Sequence, residues 1–146
     1  MRTVKNKSVE DKLHAFLKEY ASFDDGYWFP LTTLKKAIPV IAYDLDELYR
    51  HGEISLLEKV FRQCGITTVS TFQMDSREYF ENDEISALLH EKDADGFNFP
   101  WTVETFYFDD TETWLVYVSH EGTISFTGEP IARTVGEIIP DRYLYR

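Results

Sequence analysis

Residues 114–127 have the sequence WLVYVSHEGTISFT. Two runs rich in β-branched and aromatic residues flank a short polar segment, which is the pattern of two antiparallel strands joined by a tight turn. His120, Glu121 and Gly122 predict a three-residue connection with the glycine in the left-handed conformation. The stretch therefore predicts that the C-terminal part of the chain contains an antiparallel sheet.

The sequence on either side extends this sheet. A strand pattern precedes the hairpin, and Asp109, Asp110, Thr111 and Glu112 predict the loop between them, while a β-branched run after Gly65 predicts one more strand. Along the first hairpin strand, alternate residues share a face. One predicted face carries Trp114, Val116 and Val118, and the other carries Leu115, Tyr117 and Ser119. The predicted strands are 66–73, 104–108, 114–119 and 123–127.

Before, between and after these strands, apolar residues recur at helical spacing and capping residues mark the helix ends. The predicted helices span residues 8–20, 44–52, 55–65, 82–91 and 130–140. The chain is thus predicted to be an α+β protein, with an antiparallel sheet of about four strands, a C-terminal meander, and N-terminal and flanking helices packed mainly on one face. The predicted core residues are Val60, Phe61, Phe106, Val116, Ile124 and Val135.

Length and composition set the class of protein. The chain has 146 residues, 43% of them apolar, which predicts a single globular domain over residues 1–146. It contains no apolar run of the roughly 18 residues that a membrane span needs, and its first residues do not resemble a signal peptide. Cys64 is the single cysteine, so no internal disulfide is expected. We expect a cytoplasmic protein without membrane association.

Negative charge is concentrated in one third of the chain. Residues 66–112 contain twelve acidic and two basic side chains, a local net charge of −10 in a chain whose total is −11. Three interpretations are open: a solvated face, a surface for a basic partner protein, or a metal site. Nucleic acid is not an expected partner, because the first 23 residues, where basic residues cluster, carry a net charge of only +2.

The metal interpretation has one specific candidate. Glu91, Asp93, Asp95 and Gly96 match the first half of a calcium loop, but Thr102 stands where the closing bidentate glutamate belongs. The four histidines lack partners at zinc-binding spacing. We therefore expect neither a metal nor a cofactor.

No sequence motif of a known catalytic site occurs, so an enzyme is not the expected class. Two loops share the pattern D-G-aromatic-x-F-P-apolar-T, residues 25–32 and 95–102. Both could simply cap the core. Alternatively, Tyr27, Trp28 and Trp101 line one exposed groove, which would make the chain a small ligand-binding domain or an enzyme with an aromatic-lined pocket.

Residues 114–128, followed by a helix, resemble the C-terminal hairpin of small acidic bacterial immunity proteins of polymorphic toxin systems. The resemblance covers about a tenth of the chain. It implies an α+β cytoplasmic domain that binds and blocks a cognate toxin. No binding residue follows from it.

Charge and resemblance together predict a non-catalytic, acidic protein-binding domain that inhibits a basic partner, such as a toxin. The oligomeric state is left open. The predicted partner-binding residues are Asp75, Glu78, Tyr79, Phe80, Glu81, Asp83, Glu84, Asp109, Asp110 and Glu112.

Overall fold

The computed structural model describes residues 11, 40–73, 78–85, 105–111, 113–119 and 121–145, and it gives the backbone alone for residues 73 and 78–83. The described residues form an open six-stranded antiparallel sheet and three α-helices, so the chain has an α+β fold. In chain order the elements are β1 (Val40–Asp44), α1 (Leu45–Arg50), α2 (Ser55–Gln63), β2 (Thr68–Gln73), β3 (Glu78–Glu84), β4 (Thr105–Phe108), β5 (Trp114–Val118), β6 (Thr123–Gly128), α3 (Ile131–Ile138) and a 3-10 turn (Asp141–Tyr143).

The strands follow the spatial order β1-β6-β5-β4-β2-β3, and every neighbouring pair is antiparallel. The four predicted strands are confirmed as β2, β4, β5 and β6, and the last three form the predicted meander. The sheet also contains β1 and β3, which the sequence analysis does not predict. These two strands stand at the ends of the spatial order.

The predicted acidic helix 82–91 is wrong at its start, because residues 82–84 belong to β3. Glu84 pairs with Thr68 in β2, so the end of β3 is part of the sheet. Pairing with β2 outweighs the weak strand preference of the acidic residues. Ile85 is buried and has helical backbone. The remainder of that helix, and all of the predicted first helix except Asp11, lies outside the described residues.

The β5–β6 hairpin has the predicted turn. The Ser119 amide donates to the Thr123 carbonyl at 3.0 Å, and the Gly122 amide donates to the Ser119 carbonyl at 3.2 Å. Gly122 has φ of 79°, the left-handed conformation that favours glycine. The Gly122 carbonyl then accepts a hydrogen bond from the Leu45 amide at 2.8 Å, which ties the hairpin to the start of α1.

Capping signals fix the ends of the helices. The Asp44 carboxylate accepts a hydrogen bond from the Glu47 amide at 3.0 Å and caps α1, as the sequence predicts. Glycines with positive φ, Gly52 and Gly65, follow α1 and α2. The third helix begins after Pro130, also as predicted.

One face of the sheet packs against the described helices. Its residues and the buried sides of the helices form one apolar cluster, in which the ring of Phe61 on α2 meets the edge of Trp114 on β5 at 5.9 Å between centroids. Burying an aromatic side chain of this size contributes several kcal/mol. The helix-facing sheet residues of this cluster are Tyr43, Val69, Tyr107, Trp114, Val116, Val118, Ile124 and Phe126.

The other face of the sheet is buried as well. Phe106 pairs with Tyr117, their rings stack at 4.7 Å between centroids, and both are at most 1% exposed. All six predicted core residues are buried. They do not form one layer, however, because Phe106 lies on the face opposite Val116 and Ile124.

Candidate protein-binding edge of the sheet

The predicted partner-binding residues fall mainly on β3 and on the loop between β4 and β5. The backbone of β3 carries Glu78, Tyr79, Phe80, Glu81 and Asp83, and the strand ends at Glu84, whose side chain is exposed. Asp109 is half-buried and Asp110 is exposed in the loop. Outside the described residues lie Asp75, Glu112 and the predicted groove of Tyr27, Trp28 and Trp101.

Strand register brings part of this set together. Glu84 pairs with Thr68, and Phe108 at the end of β4 pairs with Ser70, so the end of β3 and the β4–β5 loop lie at the same end of β2. Because neighbouring strands are about 4.8 Å apart, β2 separates the two acidic segments by about 10 Å. We call Glu81, Asp83 and Glu84 of β3, with Asp109 and Asp110 of the loop, the acidic edge.

Not every predicted residue joins this group. Glu78 pairs with Gln73, which in turn pairs with Thr105 at the start of β4. Glu78 therefore lies at the opposite end of the sheet from Glu84, roughly 20 Å away along a strand of this length.

A β-bulge interrupts the pairing of β3 with β2. Val69 pairs with Asp83 and Thr71 with Phe80, so the single residue Ser70 faces two residues of β3. A bulge bends its strand and disturbs the regular hydrogen-bond ladder, and together with charges it discourages edge-to-edge strand pairing. This part of β3 is therefore better suited to a contact guided by charge than to the addition of a partner strand.

The two loop carboxylates have different surroundings. Asp109 accepts hydrogen bonds from the amide of Thr111, at 3.0 Å, and from its hydroxyl, so this carboxylate organises its own turn. No described cation lies within ion-pair distance of Asp110 or Glu84. Among the acidic-edge residues with described side chains, Glu84 and Asp110 are the exposed ones.

A second group of ionisable side chains, which the sequence analysis does not predict, surrounds Tyr143. Arg142 donates to the Glu53 carboxylate at 3.2 Å and to the Tyr143 hydroxyl at 3.1 Å. The nearby Tyr143 hydroxyl lowers the pKa of Glu53, with a further contribution from the Arg142 charge. The Glu53 carboxylate, followed by burial, raises the pKa of Tyr143.

Tyr43 is the one buried residue of β1. It is 1% exposed, and its hydroxyl donates to the Val135 carbonyl at 3.3 Å. Burial, with a smaller contribution from the Asp141 charge, raises the pKa of Tyr43 to about 12. The hydroxyl therefore stays protonated at neutral pH and serves as a hydrogen-bond donor.

The remaining candidates have structural positions. His51 follows α1 as its C-cap, the predicted helix end, and its Nε2 atom lies 3.3 Å from the Glu47 carboxylate. Cys64 is half-buried beside the apolar cluster. Within the described ranges, no three His, Cys, Asp or Glu side chains are grouped as metal ligands, and no helix is long and apolar enough to span a membrane. The candidate calcium loop at residues 91–102 is not among those ranges.

Comparison with known proteins gives no match: no family model fits the chain, and neither a curated protein nor a solved structure is found to be similar.

Proposed function

We propose that this chain is a non-catalytic protein-binding domain that inhibits a basic partner protein, as the resemblance of residues 114–128 to immunity proteins of toxin systems implies. The observation that supports this most is the acidic edge. Two segments far apart in sequence bring their carboxylates to one end of the sheet, with Glu84 and Asp110 exposed. The proposal places the chain in the bacterial cytoplasm, where such a toxin would have to be blocked.

Electrostatics gives this surface a physical role. Complementary charge raises the rate at which two proteins meet by a factor of about 10–1000, and it disfavours partners of the wrong sign. The steering weakens with salt, because the screening length falls from about 30 Å at 0.01 M to about 3 Å at 1 M ionic strength. A basic toxin would therefore associate with the acidic edge quickly at low salt.

The test is a double charge reversal at the acidic edge, Glu84→Lys with Asp110→Lys. Both side chains are exposed, so the fold should be retained, because surface substitutions usually change stability by less than about 0.5 kcal/mol each. The probe is a basic toxin encoded beside the gene for this chain. Stopped-flow association at low and high salt should show a rate reduced about tenfold or more at low salt and a weaker salt dependence.

A matched control reverses two exposed carboxylates elsewhere, Glu129→Lys and Glu137→Lys, and changes the net charge by the same amount. If total charge alone guided the encounter, both variants would slow association equally. That result, or unchanged association in both variants, would reduce the acidic edge to a solvated face that protects the sheet edge.

A further inference from the structure

The outer edge of β1 is covered by the segment that follows α3. On its inner side, β1 pairs with β6 along its whole length. On its outer side, Tyr43 forms an isolated antiparallel bridge with Leu144, and the Tyr145 amide donates to the Ala42 carbonyl at 2.9 Å. We call residues 141–145 the strap, because they lie across this edge without forming a full strand.

Side chains hold the strap in place. Tyr143 is 2% exposed, and Arg142 joins its hydroxyl to the Glu53 carboxylate in the loop between α1 and α2. The Arg142 guanidinium also lies over the Tyr143 ring, 4.8 Å from its centroid. We call Glu53, Arg142 and Tyr143 the latch. Among the described residues, the strap pairs with the backbone of β1 at one bridge, so the side chains of the latch add to what fixes it.

The two terminal strands of the sheet differ in charge. Four of the seven residues of β3 are acidic, and β3 contains a bulge, both of which discourage pairing with another chain. Asp44 is the one charged residue among the five of β1, and its carboxylate is occupied in capping α1. A terminal strand with so little free charge needs a physical cover to avoid pairing with other strands.

We propose that the strap guards the outer edge of β1, and that this edge pairs with β1 of a second copy of the chain when the latch is broken. The strand is self-complementary. In a two-fold antiparallel pair centred on Ala42, Ile41 of one copy lies opposite Tyr43 of the other, a favourable β-branched and aromatic pair. Val40 and Asp44 lie at the ends of that pair, so the two carboxylates are kept apart.

The experiment breaks the latch with Glu53→Ala in the full chain. The amide of Tyr145, which reports on the strap directly, should exchange with deuterium on the order of tenfold faster or more. Sedimentation over a range of concentrations should show a mass that rises towards twice the 17.1 kDa of one chain. Tyr143→Ala should act in the same direction and more strongly, because it also removes a buried ring.

Two further variants separate strand pairing from general loosening of the fold. Glu58→Ala removes another carboxylate–arginine pair, Glu58 with Arg62 at 2.6 Å, which lies away from the strap, and should leave exchange and mass unchanged. In an antiparallel strand, the N–H and C=O groups of one residue point to the same side, and the Ala42 carbonyl faces the strap. The Ala42 N–H therefore also points outward, and Ala42→Pro removes it. Adding Ala42→Pro to Glu53→Ala should restore the smaller mass.

Three results would overturn the proposal. Unchanged exchange at the Tyr145 amide in Glu53→Ala would show that the latch does not hold the strap. Rapid exchange without any increase in mass would show that the uncovered edge does not pair. A dimer that persists with Ala42→Pro would place the contact on another surface.

Discussion

Gly128 on β6 pairs with Trp114 on β5, and the main chain at Thr113 and Trp114 fills the space that a side chain on Gly128 would need. A Cβ atom at this position would stand 2.7 Å from the Trp114 Cα atom. Gly128 also has φ of 88°, a conformation that other residues adopt at a cost. Both facts make glycine a requirement at the end of the hairpin that anchors the sheet.

The substitution Gly128→Ala should therefore destabilise the fold by about 2–5 kcal/mol, from backbone strain and from overpacking against main-chain atoms. Gly52→Ala is the matched control, because Gly52 has φ of 67° but nothing within 4 Å of a new Cβ. It should lower the free energy of unfolding by about 1–2 kcal/mol. Urea unfolding of both variants measures the difference, and equal losses would contradict the packing argument.

Phe106 tests whether the second face of the sheet is a true core. Its ring is 1% exposed and stacks on Tyr117, so Phe106→Ala should lower the free energy of unfolding by about 3–5 kcal/mol. Lys59→Ala, an exposed position on α2, should change it by less than about 0.5 kcal/mol. A loss below about 1 kcal/mol in Phe106→Ala would show that this face is open to solvent.

Tyr43 predicts a loss of stability at alkaline pH. Its pKa is raised from 10.0 to about 12, so the folded state holds the hydroxyl proton more tightly than the unfolded state does. The stabilisation is complete below pH 10 and is lost as the pH rises towards 12. Tyr43→Phe should cost about 0.5–1.5 kcal/mol at neutral pH, through the lost hydrogen bond to Val135, and should flatten the alkaline decline. If the free energies of unfolding of wild type and Tyr43→Phe declined in parallel at high pH, this account would be contradicted.

How much of the fold the sequence predicts depends on how local the signal is. The strands β2, β4, β5 and β6 carry β-branched and aromatic runs bounded by turn residues, and all four are predicted. Residues 78–84, with the sequence EYFENDE, are rich in side chains that strands disfavour, and they form β3 through pairing with β2. Residues 40–43, with the sequence VIAY, carry a strand signal of four residues, and they form β1 through pairing with β6.

The sequence likewise predicts only part of the candidate site. The concentration of acidic residues is visible in composition, but the meeting of Glu84 with Asp110 at one end of the sheet depends on strand register, which no local pattern encodes. The latch was missed entirely, because Glu53 and Arg142 are 89 residues apart in the chain and belong to no motif. Pairings between distant segments become visible when the topology is known.

The latch also predicts how the chain responds to acid. The pKa of Glu53 is lowered from 4.5 in the folded state, so the stabilisation it provides is present above that value and is lost as the pH falls through the folded-state pKa. Glu53→Gln should lower the free energy of unfolding at neutral pH and make it depend less on pH below about 4.5. The measurement is urea unfolding from neutral pH down to about pH 3. If Glu53→Gln and wild type lost stability in parallel over this range, the ionised Glu53 carboxylate would not be what fastens the strap.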